Sequence, residues 1–355
     1  MSRNVKYDVI ISFSRAKVEN AIGKQEIPYY LGRGATDTIT FHKKKIVMSM
    51  LRSTKCSRND VISKTNNTIN SQIIKAIILF YANANNFPKL ESIKVNITAP
   101  KTAIEEYTIE GEELPQVLNP KQARDESLHF CPKEAIWKEV GLGNAARIST
   151  SYWLDALNIQ DRHTKFNRLW IAFNALFAYF GNRRAEVENL IYIRQLLQAN
   201  KGCFVRTTAL VKEYTTQVLR EQFRWMILCK ADMKRSIKRF YESLISFNDS
   251  RILELFKGLS QSHQLQPQIT SSDYKNQIDA HLSGVGTSED IEIVILLCVK
   301  YAYFLRNQRQ HGQILDYNFK LTPNHEDEEL DNINQLLSNL LLEMLDNIST
   351  FSVQS

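Results

Sequence analysis

An arginine and a histidine lie five positions apart in the polar segment Arg306–His311, directly after a long apolar run. Cleavage of RNA by its own 2′-hydroxyl needs such a pair, because the imidazole moves protons and the guanidinium stabilises charge developing on the phosphate. The spacing alone is weak evidence, since about one match is expected by chance in a chain of this length. A second match, Arg124–His129, is also present, so the context of each must be compared.

The surroundings favour the later match. Asp125 and Glu126 lie inside the earlier one, where their charges would repel an RNA phosphate, and the flanking residues predict a solvated loop. The later match contains only neutral or basic residues, and Asn307 adds a hydrogen-bonding amide. It could equally be the polar end of a helix, with His311 as a cation favoured by the helix dipole. Spacing and charge do not separate these two interpretations.

Helix geometry limits how this pair could work. Five residues along an ideal helix turn through about 500°, so the two side chains would point about 140° apart. They converge only if the helix bends or ends between them. Alternatively, two copies of the chain could pair about a two-fold axis and supply two arginines and two histidines to one groove.

The composition predicts a folded chain with a large core, because 43% of its 355 residues are hydrophobic and 10% are aromatic. The net charge of +7 weakly favours a polyanionic partner. The apolar run Ile291–Leu305 is too short to cross a membrane, so we expect a buried helix and no membrane association. No metal or cofactor is expected. The odd number and scatter of the cysteines predict a reducing cytoplasm: Cys56, Cys131, Cys203, Cys229 and Cys298.

Local patterns predict an α+β fold with two domains. Residues 1–150 are expected to form a small mixed α/β domain of unknown, sensory or regulatory role, with a connector at 99–150. Its predicted strands are Tyr7–Phe13, Thr36–Phe41 and Leu90–Ile97, and its predicted helix is Ile69–Tyr81.

Residues 151–355 are expected to form a mainly α-helical domain. Gly181-Asn182 predicts the end of its first helix, and Thr287 with Asp290 resembles a capping box before the apolar run. Further helices are predicted at Val187–Leu197, Phe204–Leu219, Phe223–Phe247 and Glu328–Ile348. The first helix carries an apolar stripe at steps of three and four: Phe166, Leu169, Trp170, Phe173, Leu176, Phe177 and Phe180.

Two motifs in this helical part together resemble the HEPN domain family. Residues 166–177 read Phe-x-x-Leu-Trp-Ile-Ala-Phe-Asn-Ala-Leu-Phe and are similar to the opening helix of that family. Residues 303–312 read Tyr-Phe-Leu-Arg-Asn-x-x-x-His-Gly and are similar to its signature, in which an arginine and a histidine are separated by four to six residues. The resemblance covers roughly residues 150–350. Two features depart from it: the motifs are unusually far apart, and Gln313 stands where some toxin members carry a tyrosine that is a target of modification.

The resemblance implies a metal-independent endoribonuclease of a toxin or antiviral defence system, acting on single-stranded RNA. His311 would be the general base or acid, Arg306 would stabilise the phosphorane, and Asn307 would orient the histidine or the phosphate. A homodimer or higher even oligomer is expected. An activating ligand or partner could act at the N-terminal domain.

Other basic residues could follow an RNA backbone. One helical strip pairs Lys234 with Lys238 and Arg235 with Arg239, one turn apart, and Arg309 lies inside the motif itself. A solvated helix face is the alternative for the strip. The alternative for the whole chain is a non-catalytic HEPN-like module for dimerisation or RNA binding, with the N-terminal domain as its active or sensing part.

Overall fold

The computed structural model describes residues 5–14, 23–28, 36–63, 67–84, 88–100, 103–114, 133–137, 141–225, 246–260, 276, 280–281, 288–310, 325–351 and 353. The fold is α+β, as predicted. Two compact units divide the chain, one formed by residues 1–159 with 345–350 and the other by residues 160–344 with 351–355. The division therefore follows residue 159 instead of residue 150, because the helix Leu142–Asn158 packs within the first unit.

A six-stranded antiparallel sheet organises the first unit. In chain order the strands are β1 (Val5–Ser14), β2 (Gly23–Pro28), β3 (Thr36–Phe41), β4 (Lys45–Arg52), β5 (Lys89–Thr98) and β6 (Glu105–Glu110). Their order in the sheet is β2-β3-β4-β1-β5-β6. The three predicted strands are confirmed as β1, β3 and β5. The prediction missed β2, β4 and β6, and β6 lies in the predicted connector.

Four helices complete the described part of the first unit. They are α1 (Arg58–Ser63), α2 (Thr68–Asn83), α3 (Lys133–Trp137) and α4 (Leu142–Asn158), and a 3₁₀ turn follows β6 at Gly111–Glu113. Helix α2 confirms the predicted helix, and the side chain of Asn67 caps it by accepting from the backbone amides of Ile69 and Asn70. Its Phe80 ring stacks on Phe13 of β1 with centroids 4.0 Å apart, which joins helix and sheet in one core.

Helices alone form the described part of the second unit. They are α5 (Arg162–Gly181), α6 (Glu186–Ala199), α7 (Val205–Val211), α8 (Thr216–Gln222), α9 (Ser250–Ser260), α10 (Asp290–Ile295), α11 (Ala302–Gln310) and α12 (His325–Asp346), of which the last two residues belong to the first unit. Short 3₁₀ turns lie at Lys201–Cys203 and, in the first unit, at Ile348–Thr350. The predicted helix Phe204–Leu219 is in fact two, since the chain turns between α7 and α8. Most of Phe223–Phe247 and the capping residue Thr287 lie outside the described residues.

The predicted first helix is confirmed as α5. All seven residues of its apolar stripe are buried, and Asp161 caps its start by accepting from the amide of Thr164 at 2.7 Å. It ends as predicted, because Asn182 adopts the left-handed conformation with φ of 49°. Helix α6 then begins at Glu186, close to the end of α5, which makes the two helices neighbours in a tight hairpin.

Candidate active site

A buried helical segment leads to Arg306. Helix α10 passes into a π-helical turn, Leu296–Tyr301, which passes directly into α11. A π turn inserts one extra residue into a helix, so it rotates everything downstream by about 100° relative to an uninterrupted α-helix. Residues 291–299 are buried throughout, as predicted for a core helix. The π turn itself was not predicted, and it sets the direction in which α11 presents its side chains.

The guanidinium of Arg306 is held on one side. Its Nη1 donates to Oδ1 of Asn307 at 2.8 Å and lies 3.4 Å from Oε2 of Glu186. The side chain is 22% exposed, so it lies at the rim of the helical core. Both contacts use the same nitrogen, and among the described residues no acceptor is bonded to Nη2. The structure thus brings the predicted residues Arg306 and Asn307 together and adds Glu186, which was not predicted.

Several predicted residues lie outside the described part of the chain. These include His311, so the predicted convergence of His311 with Arg306 stays a prediction. The earlier match Arg124–His129 also lies outside it, as do all four residues of the basic strip, Lys234, Arg235, Lys238 and Arg239.

Arg309 has an environment unlike that of a typical phosphate-binding residue. Its guanidinium carbon lies 5.2 Å from the ring centre of Phe166, and its Nη2 lies 3.9 Å from Oε1 of Glu326. The side chain is only 14% exposed. Burial lowers the pKa of Arg309 to about 10, although Glu326 opposes this shift. RNA binding by Arg309 stays a prediction, and this geometry fits a cation that anchors α11 to α5 and α12.

A second charged network lies beside the π turn. Glu329 of α12 accepts from Nε of Arg224 at 2.8 Å, from its Nη2 at 2.6 Å and from its backbone amide at 3.0 Å. The hydroxyl of Tyr301, the last residue of the π turn, also donates to Glu329. Burial raises the pKa of Glu329, and the charge of Arg224 opposes the rise. This network ties the end of the π turn to α12.

A third group of charges lies at the other side of the same turn. The carboxylate of Glu292 in α10 accepts from Gln198 at 2.6 Å and lies 3.6 Å from Nη2 of Arg194. Burial raises the pKa of Glu292. Burial also lowers the pKa of Lys300 on the π turn, and the charge of Arg194 adds to that shift. Sequence reasoning missed these residues because they come from α6 and α10, about a hundred positions apart.

Neither a metal site nor a membrane-spanning helix is found among the described residues. Within the described ranges, no cluster of three histidine, cysteine or acidic side chains could hold a metal ion. None of the described helices combines the length and the apolar character needed to span a membrane. No family model, no curated protein and no solved structure matches this chain.

Proposed function

We propose that the chain is an endoribonuclease that cleaves single-stranded RNA by attack of the 2′-hydroxyl on the adjacent phosphate. The observation that carries the proposal is Arg306, a guanidinium anchored at the end of a buried helix, with one terminal nitrogen held and the other terminal nitrogen unbonded among the described residues. The order of the two motifs, Phe166–Phe177 and then Tyr303–Gly312, supports the same conclusion through their resemblance to HEPN domains.

The residues have separate roles in this mechanism. His311 removes the proton of the 2′-hydroxyl, and the 2′-oxygen forms a bond to phosphorus. Arg306 stabilises the additional negative charge on the non-bridging oxygens as the phosphorane forms. The bond to the 5′-oxygen then breaks, and that oxygen takes up a proton. The products are a 2′,3′-cyclic phosphate and a 5′-hydroxyl, and DNA is not a substrate because it lacks the nucleophile.

The proposal extends to the assembly and setting of the enzyme. A homodimer or higher even oligomer would bring two copies of the motif to one groove, since a single helix directs Arg306 and His311 apart. The cytoplasm is the proposed compartment, on the basis of scattered cysteines without a disulfide framework. A toxin or antiviral role follows only from the resemblance.

Cleavage of a labelled single-stranded RNA in the presence of EDTA tests the proposal. His311→Ala should abolish cleavage while the melting temperature falls by no more than a few degrees. The control is His129→Ala, which should retain activity within about threefold of the parent protein, a barrier change below about 1 kcal/mol. Full activity of His311→Ala, or equal losses in both variants, would contradict the proposal.

A second candidate is a non-catalytic module for dimerisation or RNA binding. The observation that favours it is the carboxylate of Glu186, which lies 3.4 Å from Arg306 and partly neutralises the charge of its guanidinium. The same RNA assay distinguishes the two, because such a module binds RNA without producing a 2′,3′-cyclic phosphate.

A further inference from the structure

Glu186 occupies a rigid position between α5 and α6. It is the first residue of α6, and the turn before it is fixed by Asn189, whose side chain accepts from the amide of Arg183 at 2.9 Å and donates to its carbonyl at 3.0 Å. The end of α5 lies directly against this turn, since a Cβ added to Gly181 would be 2.3 Å from Oδ1 of Asn189. Both helices therefore determine where the Glu186 carboxylate lies.

The Glu186 carboxylate is directed at Arg306. A negative charge at the first residue of a helix is stabilised by the helix dipole. The Glu186 side chain is 29% exposed, and its Oε1 is buried without a hydrogen-bond donor among the described residues. Its Oε2 is the atom that approaches Nη1 of Arg306. Glu186 thus offers one oxygen to one nitrogen of the guanidinium.

A buried ion pair elsewhere in the chain differs from this one-sided contact. In the first unit, Asp37 and Arg52 form a fully buried pair with two parallel hydrogen bonds of 2.7 Å each, which occupies both terminal nitrogens of the guanidinium. That is the arrangement of a structural ion pair. The Arg306 contacts differ, because Glu186 and Asn307 share Nη1 and leave Nη2 unbonded among the described residues.

We propose that Glu186 is a positioning residue of the RNA-cleaving site, and this inference rests on the proposed function. Together with Asn307 it fixes Nη1 of Arg306 so that Nη2 faces the phosphate that becomes the phosphorane. A guanidinium on a long side chain is otherwise free to rotate, and fixing it beforehand removes that cost from the chemical step. In this proposal Asn307 orients Arg306. The sequence had instead predicted that Asn307 orients the histidine or the phosphate.

Positioning and masking by Glu186 have opposite consequences. If the carboxylate only masked Arg306, its removal would free a positive charge, tighten RNA binding and speed cleavage. If it positions Arg306, its removal slows the chemical step without weakening RNA binding, because the negative charge of Glu186 repels the RNA phosphate and does not attract it. The separation of kcat from KM is therefore the informative measurement.

The test uses the full chain and a fluorescent single-stranded RNA oligonucleotide. Glu186→Ala should lower kcat by roughly tenfold to a hundredfold, the size expected for a misplaced catalytic group, with KM within about twofold. Glu186→Gln keeps a carbonyl that can accept from Nη1, so its kcat should lie between those of Glu186→Ala and the parent. Glu188→Gln, an exposed position one half-turn further along α6, is the matched control and should behave as the parent.

The outcomes separate this inference from the proposed function. A parent protein that cleaves no RNA overturns the proposed function and the role of Glu186 with it. A parent that cleaves, with Glu186→Ala and Glu186→Gln equal to Glu188→Gln, overturns only the role of Glu186. A rise in kcat for Glu186→Ala would show masking in place of positioning. If the melting temperatures of the three variants lie within a few degrees of the parent, a loss of kcat is assigned to the site and not to unfolding. If Glu186→Ala does not fold, the kcat of Glu186→Gln tests the role of Glu186.

Discussion

Replacing Gly181 by alanine should destabilise the α5–α6 hairpin. The new Cβ would lie 2.3 Å from Oδ1, 2.7 Å from Cα and 2.8 Å from Cβ of Asn189, distances that real Cβ atoms essentially never show. The Asn189 side chain cannot simply rotate away, because both of its ends are bonded to the backbone of Arg183. Helix α6 must therefore move, and it carries Glu186 with it.

The magnitude follows from three contributions. Overpacking of this kind costs about 1–3 kcal/mol. Loss of the two Asn189 hydrogen bonds adds about 1 kcal/mol each. The better helix propensity of alanine offsets about 1 kcal/mol of this loss in the free energy of unfolding. The net loss is about 2–4 kcal/mol, which lowers the melting temperature of a unit of this size by roughly 4–16 °C.

Urea and thermal unfolding of Gly181→Ala and Gly202→Ala test this reasoning. Gly202 is the matched control, because a Cβ at that position meets no atom within 4 Å. The control should keep the stability of the parent or gain up to about 1 kcal/mol from reduced freedom of the unfolded chain. Equal stabilities of the two variants would refute the argument and show that α6 moves away from α5 at little cost.

Three further predictions concern charge and assembly. Glu329→Ala should lose about 2–4 kcal/mol in urea unfolding, because the Tyr301 hydroxyl and two side-chain nitrogens of Arg224 lose their shared acceptor, while Glu326 remains 3.3 Å from Nη1 of Arg224. A loss below about 1 kcal/mol would contradict this. Because the pKa of Glu292 is raised in the folded protein, the parent loses stability as the pH rises through that pKa and the buried carboxyl ionises. Glu292→Gln cannot ionise there, so its urea midpoint minus that of the parent should increase between about pH 4.5 and about pH 7.5. A decrease in this difference would contradict the reasoning. The active species should sediment as a dimer or higher even oligomer. A mixture of Arg306→Ala and His311→Ala subunits should regain activity if one site takes its arginine and its histidine from different subunits. A fully active monomer would exclude the paired groove.

The parts of the fold that sequence predicted are those determined by local periodicity. The stripe of α5 and the alternation in β3 each place apolar residues on one face without help from the rest of the chain. Strand β6 is different, because its sequence is mostly polar and only Ile109 is buried. It becomes a strand through pairing with β5 at the edge of the sheet, and such pairing has no local signal.

The residues of the candidate site likewise fall into those that the sequence identified and those that only the fold reveals. Arg306 and Asn307 were identified from their own segment, whereas Glu186 lies 120 residues before Arg306 and reaches it only through the folded hairpin. The pairing of Arg224 with Glu329 spans 105 residues and was equally hidden. The acidic residues at the start of α12 can be read from the sequence, but the arginines that pair with them cannot be identified without the fold.

The direction of Arg306 depends most on a feature that no periodicity predicts. An uninterrupted α-helix from Asp290 would turn α11 by about 100° relative to its observed orientation, because the π turn contains one extra residue. Such a rotation would carry Arg306 away from Glu186. The wider turn is bordered by buried charges on both sides, Glu292 near its start and Tyr301 bonded to Glu329 at its end. These buried partners stabilise a helix geometry that is otherwise rare, and through it they determine which nitrogen of Arg306 is bonded by the described residues Glu186 and Asn307.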